Sequence, residues 1–490
     1  MTKRVLAFDF GASSGRAIIG TFQNGKIELE EVHRFSNDPV QLGDTLHWDV
    51  LRLFHEIKQG LIKAKLAGGF DAIGIDTWGV DFGLLDKDGR LLENPVHYRD
   101  LRTQGMIEKT FETIPADELY QRTGLQFMSY NTLFQLMSLK EKRPELLERA
   151  DKFLFMPDLF VYFLTGSQKS EYSIASTSQF VNPNTNDWDW ELIDRLGFKR
   201  SLFSPLVDPG TVAGKLRPEI CEELDLPPVD VMYVTGHDTA SAVASVPAKK
   251  GDEFVYISSG TWSLMGIESP TPVINEKSAK YNYTNEGGIN RTTRFMCNIM
   301  GLWLIQESRR QWQREGQELS FNDMEQAALK SKPFRSFIDP TNDLFMTPGN
   351  MPRRIKEFCE KTGQHVPETM GEVVRCIYES LALKYKETFQ NIEEISGKKY
   401  GVLHIVGGGT KDGLLSQFSA NACGVPVICG PIEATAMGNI AVNLMGSGDL
   451  KDVWEARSVI SASFEPKNYT PTDTEAWEEA FRRFSEVQGK

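Results

Sequence analysis

At 490 residues the chain exceeds what one core usually supports, and domains of roughly 100 to 250 residues make two the expected count. Its 54 basic and 67 acidic residues give a formal net charge of -13, which argues against a general affinity for nucleic acid or an anionic membrane, since both need a positive field. The apolar run after Met1-Thr2-Lys3-Arg4 stops at Asp9, too soon for a secretory segment, and no later run could span a bilayer, so a soluble cytoplasmic protein is expected.

Val5-Leu6-Ala7-Phe8-Asp9 is a short apolar run closed by a carboxylate. After Gly11-Ala12-Ser13-Ser14-Gly15 a second run, Ala17-Ile18-Ile19-Gly20, predicts a β-hairpin with a small-residue tip. Residues 27–35 continue as a third strand, and residues 50–66 set Leu53, Phe54, Ile57, Leu61 and Ile62 near helical spacing. Ala72-Ile73-Gly74-Ile75-Asp76 predicts a buried strand that ends in the turn Thr77-Trp78-Gly79-Val80-Asp81, and functional side chains often gather at such strand ends. Residues 102–196 are rich in helical periodicity, with candidate helices over 131–149 and 157–165, and read as an insertion in the first lobe. Val231-Met232-Tyr233-Val234-Thr235 is the next strand; Gly236-His237-Asp238-Thr239-Ala240 then opens a helix, and residues 247–252 read as a linker.

Beyond the linker, residues 254–266 repeat the opening pattern of strand, glycine turn and strand around Ser258-Ser259-Gly260-Thr261-Trp262. Val402-Leu403-His404-Ile405-Val406 is followed by Gly407-Gly408-Gly409-Thr410 and a helical stretch over 414–423, an order that suits a nucleotide contact. Residues 473–490 read as an amphipathic terminal helix. The six cysteines contain no C-x-x-C pair, and the seven histidines form no H-x-x-x-H pattern, so reduced structural cysteines and no protein-ligated metal are expected.

Two glycine hairpins, one opening each half, would let backbone N–H groups come close to phosphate oxygens; each alone reads equally as an ordinary tight turn. No G-x-x-x-x-G-K-[ST] loop is present, which disfavours a Walker-type site. Asp9 is placed to hold waters around Mg²⁺, or to cap its turn. Asp238, at a strand-to-helix junction, could take a proton from an attacking alcohol, or serve as a helix N-cap. His237 could bond a sugar hydroxyl or be a packed residue, and Trp78, Trp262 and Trp303 could meet a sugar face or simply fill the core. Asp100 and Arg102 could clamp a sugar or form a surface ion pair.

Phe8-Asp9-Phe10-Gly11-Ala12-Ser13-Ser14-Gly15-Arg16, Gly236-His237-Asp238-Thr239-Ala240, Ser258-Ser259-Gly260-Thr261-Trp262 and the glycines from Gly407 together resemble the FGGY carbohydrate kinases over almost the whole chain. Asp76-Thr77-Trp78-Gly79-Val80-Asp81-Phe82, Asn285-Glu286-Gly287-Gly288 and Asn298-Ile299-Met300-Gly301-Leu302-Trp303-Leu304 look like the forms carried by the branch that phosphorylates L-rhamnulose on its 1-hydroxyl. A signature helix in which many members carry Lys and Trp reads Tyr130-Asn131-Thr132-Leu133-Phe134-Gln135 here. The resemblance implies an α/β chain of two actin-like, ribonuclease H-like lobes with mixed sheets flanked by helices, 1–248 mainly sugar-binding and 249–490 mainly nucleotide-binding. The active site would lie in the interlobe cleft.

By the same resemblance, Ala12, Ser13, Ser14, Gly15, Arg16 and Thr261 would contact the phosphates of ATP, and Gln306, Gly408 and Gly409 would border the nucleotide. Gly79, His237, Asp238, Thr239 and Asn298 would contact sugar, Asp238 would be the catalytic base, and Asp9 would reach Mg²⁺ through water. Three alternatives stay open: a kinase for another ketose such as L-fuculose, L-ribulose or D-xylulose; an actin-like switch ATPase; and a sugar-binding module without catalysis.

Overall fold

The computed structural model describes residues 2–488 in two compact units that interleave along the chain. Unit 1 takes the chain up to Lys250 together with Glu268–Phe295 and Ala434–Phe464; unit 2 takes Gly251–Ile267, Met296–Glu433 and the chain from Glu465.

Unit 1 is built on a six-stranded mixed sheet. Its strands are β1 (Lys3–Phe10), β2 (Ser14–Gln23), β3 (Lys26–Ser36), β4 (Ala72–Thr77), β5 (Thr211–Lys215) and β6 (Asp230–Tyr233), in the order β5-β6-β4-β1-β2-β3. β1 to β3 form an antiparallel meander, while β1, β4 and β6 are parallel neighbours. Val5 to Phe10 are all buried because both faces of the sheet are covered. On one face lies α1 (Val50–Leu66), started by Asp49, whose carboxylate accepts the Arg52 N–H at 3.2 Å, and turning Leu53, Ile57, Leu61 and Ala64 inward. On the other, Met437, Ile440, Ala441 and Leu444 of the helix Ala434–Gly446 pack with Val5 and Ala7. Each such fully buried aliphatic side chain contributes about 1.5–3 kcal/mol.

The expected helix over 131–149 is two helices, Thr132–Lys142 and Pro144–Arg149. Pro144 has no N–H to continue the first helix and instead starts the second, where a missing donor costs nothing.

Unit 2 carries β7 (Val255–Ser259), most of β8 (Trp262–Ser269) and of β9 (Thr293–Met300), α2 (Trp303–Arg314), α3 (Met370–Ser396), β10 (Leu403–Val406), α4 (Gly413–Cys423), β11 (Val427–Cys429) and β12 (Lys467–Tyr469). The seven-stranded sheet runs in the order Thr284–Gly287, then β9-β8-β7-β10-β11-β12, with the hairpin β7–β8 antiparallel and β7, β10 and β11 parallel. The long α3 begins with a reciprocal cap between Thr369 and Glu372 and ends at Gly397 in the left-handed region. The terminal helix covers Thr474–Ser485; residues 489 and 490 of its expected span lie outside the described residues. All six cysteines are free, and no helix among the described residues is long and apolar enough to cross a membrane.

Candidate active site

Three parallel strands of unit 1 end side by side. Asp9 of β1 pairs with Asp76 of β4, and Thr77, one residue on, bridges to His237 beyond β6, so one sheet edge gathers Asp9, Asp76, His237 and Asp238. Asp76 is fully buried; its Oδ2 accepts the Asn439 amide at 2.5 Å, and its Oδ1 has no hydrogen-bond partner. Burial, joined by the charge of Asp9, pushes its pKa well above the usual carboxylate range against the Asn439 bond.

Asp238 is the first residue of the helix Asp238–Ala244, whose N-cap position belongs to His237. Asp238 thus stands one residue inside the cap position, in the first turn. The Asp238 Oδ1 accepts the Thr239 N–H at 2.6 Å and the Thr239 hydroxyl at 3.2 Å. Burial raises the Asp238 pKa and the charge of Asp9 adds to it, while His237 opposes both.

Arg16 sits opposite Asp9 across the hairpin and donates from Nη2 to Asp9 Oδ2 at 2.5 Å, so this guanidinium is engaged with a carboxylate. The tip is closed by the Gly11 N–H donating to Ser14 O at 2.9 Å and by Asn37, which donates from Nδ2 to Gly11 O at 2.9 Å; Ala12 and Ser13 are exposed. Neither this tip nor the one at Gly260 uses the positive φ that glycine permits. Gly15 is required sterically instead: a Cβ there would fall 2.2 Å from the Phe35 ring.

The turn after β4 is held by a carboxylate that sequence reasoning gave no role. The buried Asp81 accepts the indole N–H of Trp48 at 2.6 Å and of Trp78 at 3.0 Å, the Tyr98 N–H at 3.1 Å and the Gln135 amide at 2.9 Å. Burial pushes its pKa up to about 6 in spite of these donors. Arg102 donates to Gln135 Oε1 at 2.7 Å, and Asp100 accepts the N–H groups of Leu46 and Arg102, each at 2.8 Å, so both side chains anchor loops. Trp78 is core, its ring centroid 4.0 Å from that of Trp48 with the planes tilted by 33°, and Trp303 donates to Phe345 O at 3.1 Å. Gly79 leaves room beside His237: a Cβ would lie 3.3 Å from the imidazole Nε2.

His237 also meets residues from a later segment of unit 1. Its Nδ1 lies 3.2 Å from Glu286 Oε2 and 3.1 Å from Arg294 Nη2, and its Nε2 lies 3.4 Å from Asp238 Oδ1.

In unit 2 the hairpin tip is locked by the Gly260 N–H donating to Trp262 O at 2.8 Å. The turn into α2 lies over it, with Gly301 and Trp303 N–H groups donating to Thr261 O at 3.2 and 3.1 Å. Thr261 donates from its hydroxyl to Gln306 Oε1 at 3.4 Å, bringing these two expected residues together. Gly407, at φ 90°, and Gly409 pack on Ser259: a Cβ on Gly409 would fall 2.0 Å from the Ser259 hydroxyl, whereas Gly408 is exposed with open space around it. Asn298 is half-buried on β9. Of the expected residues, Asp9, Ala12 to Arg16, Gly79, His237, Asp238 and Thr239 belong to unit 1, and Thr261, Asn298, Gln306, Gly408 and Gly409 to unit 2. Among the described residues, no group of three or more His, Cys, Asp or Glu side chains is arranged to hold a metal ion directly.

Models of the N-terminal and C-terminal domains of the FGGY family of carbohydrate kinases match residues 4–245 and 255–447. The chain belongs to this family; it is a phosphotransferase of the carbohydrate kinase class. Rhamnulokinase of Bacteroides thetaiotaomicron is 44% identical over 99% of both chains, and rhamnulokinase of Bacillus subtilis is 42% identical over 95% of both. In fold, the chain matches a ligand-bound xylulose kinase from Lactobacillus acidophilus with a TM-score of 0.83 at 16% identity, over 99% of this chain and 98% of that one. It matches Plasmodium falciparum glycerol kinase with ADP with a TM-score of 0.78 at 14% identity, over 99% and 97%.

Proposed function

We propose that the protein transfers the γ-phosphoryl group of ATP to the 1-hydroxyl of L-rhamnulose, giving L-rhamnulose 1-phosphate and ADP, in the cytoplasm as part of L-rhamnose breakdown. The observation that carries the chemistry is Asp238 at the strand edge, held by Thr239 beside His237 and the bare backbone of Gly79. The choice of sugar is supported by the near-full-length likeness to rhamnulokinases at 39–44% identity.

In this reading the sugar lies against Gly79, His237, Thr239 and Asn298, and Asp238 accepts the proton of the 1-hydroxyl as that oxygen attacks the γ-phosphorus in line. Raising the carboxylate's pKa makes it a stronger base. Phosphoryl transfer asks little covalent work of a protein, so the remaining residues position and neutralise. Thr261, Gln306, Gly408 and Gly409 border the nucleotide, where glycines leave backbone N–H groups uncovered. The hairpin residues Ala12, Ser13, Ser14, Gly15 and Arg16 meet the phosphates, Arg16 sharing its charge with Asp9.

Mg²⁺ supplies neutralisation of the phosphate oxygens. The donors at the strand edge fit such a hard, oxygen-seeking ion: Asp9, Asp76 and Asp238 offer only oxygens, and Asp76 Oδ1 is buried without a partner. Asp9 would hold the ion through water.

The test is ADP release from Mg-ATP against L-rhamnulose, L-fuculose, L-ribulose and D-xylulose with a sugar-free control. Preference for L-rhamnulose is expected. Preference for another ketose would overturn the sugar assignment, and equal ADP release without sugar would overturn the kinase reading.

A further inference from the structure

We propose that Glu286, backed by Arg294, is a positioning residue of the sugar site: it accepts the Nδ1 proton of His237 and so commits the Nε2 edge of that imidazole to the sugar beside Gly79. This rests on the kinase reading above and adds a role for the Asn285-Glu286-Gly287 string.

The string is seated with little freedom. Asn285 donates from Nδ2 to Gly124 O at 2.9 Å and accepts the Val273 N–H at 2.7 Å, and the Gly287 N–H donates to Ser176 Oγ at 2.7 Å. A Cβ on Gly287 would come 2.4 Å from the Tyr172 ring, so only glycine lets this strand, Thr284–Gly287, close on that side chain. Glu286 is thereby fixed 3.2 Å from His237 Nδ1.

Two arrangements of the proton are conceivable, because Arg294 Nη2 also lies 3.1 Å from Nδ1. Arg294 already has acceptors in Gly287 O, 2.9 Å from its Nε, and in Glu286 Oε2, 3.1 Å from its Nη2. Glu286, though buried, is held below its usual pKa: burial would raise it, but the hydrogen bond from His237 and the charge of Arg294 outweigh that. An Nδ1 without a proton would set its lone pair against an ionised oxygen in a desolvated site, an arrangement that leaves two acceptors facing and is costly. The arrangement we propose puts the proton on Nδ1, given to Glu286, with Arg294 Nη2 donating to Glu286 Oε2. Nε2 remains as the edge that looks past Gly79; it too faces a carboxylate oxygen, Asp238 Oδ1 at 3.4 Å, and in the Nδ1–H ring it carries the lone pair that a sugar hydroxyl entering there would satisfy. A sugar hydroxyl held there is aligned with the carboxylate that accepts the reacting proton.

Nitrogen-15 NMR of the labelled full-length protein, with His237→Gln to assign the signals, reads the protonation of Nδ1 directly, and steady-state kinetics of Glu286→Gln and Glu286→Ala read the positioning. We expect a protonated Nδ1 in the parent protein. Glu286→Ala should raise the KM for L-rhamnulose by about 10- to 100-fold, the scale of one hydrogen bond to a charged group, with a smaller loss in kcat and an unchanged KM for ATP. Glu286→Gln, which keeps a carbonyl acceptor and the side-chain volume, should fall between. A histidine protonated on Nε2 alone, sugar KM values unchanged in both variants, or equal losses for sugar and ATP would each overturn the proposal. If the parent protein phosphorylates no ketose, the functional reading fails, while the NMR result still decides where the proton lies.

Discussion

In unit 1 the glycine hairpin sets Asp9 opposite Arg16 and beside Asp76, whereas in unit 2 the comparable hairpin sets Ser259 opposite Ser263 and Ser258 beside Val406. Both tips are closed by a glycine N–H reaching across the turn, at 2.9 Å from Gly11 and 2.8 Å from Gly260. The backbone device is the same; the charge is not. Carboxylates repel a polyphosphate chain at close range, while hydroxyls and bare amides accept it without an opposing field. The comparison teaches that one hairpin geometry can be flanked by acidic strand ends, as the proposed metal and proton work requires, or by neutral ones, while both tips would meet phosphate in the proposed function.

The sharpest way to break this contrast is at its acidic edge. Asp238→Asn should lower kcat by about 10²- to 10⁴-fold, the range for a positioned acid or base, with sugar binding retained; near-normal turnover in coupled ADP assays would remove the base assignment. A pH profile refines the same point. Because the Asp238 pKa is raised in the folded protein and the ionised form is the base, activity is present above the shifted pKa and lost as pH falls through it. The acid limb of kcat/KM should therefore lie above the ordinary Asp value of about 3.9, and a limb at or below that value would contradict it.

On the neutral side, Gly409→Ala drives a methyl group to within 2.0 Å of the Ser259 hydroxyl. It should cost about 1–3 kcal/mol of stability and raise the KM for ATP, leaving the sugar KM alone; a thermal melt and paired KM measurements check both parts. Asp9→Asn should raise the Mg²⁺ concentration needed for half-maximal rate severalfold, because it removes the charge that the proposed function places beside the ion. An unchanged Mg²⁺ titration would count against that role. The smallest effect is expected from Gly79→Ala, whose Cβ would stand 3.3 Å from His237 Nε2: the sugar KM should rise a fewfold and the ATP KM should not.

Much of this was legible in the sequence where the signal is local. The hairpins, the helix Val50–Leu66 and the strand-to-helix junction at Asp238 follow from short apolar runs, helical spacing and small residues. The break at Pro144 was equally local and could have been read from the missing donor alone. What composition and periodicity do not carry is partnership at a distance: Asn439 meets Asp76 from 363 positions away, and Arg294 reaches His237 from 57. Asp81 was quoted within a motif, yet its role as acceptor for two indoles emerges only when Trp48, Trp78 and Gln135 are brought around it. A buried carboxylate at a strand end, followed by a strained residue such as Val80 at φ 68°, is the signal that could have drawn attention to it.

The interleaving of the two units also has a meaning for synthesis on the ribosome. When the first 250 residues have emerged, the strand edge holding Asp76 and His237 still lacks Glu286, Arg294 and Asn439, which arrive with Glu268–Phe295 and Ala434–Phe464. A nascent unit 1 would hold a buried carboxylate without its amide donor and a histidine without its carboxylate. Unit 1 thus completes its contacts only once Ala434–Phe464 has been translated, well after its first 250 residues.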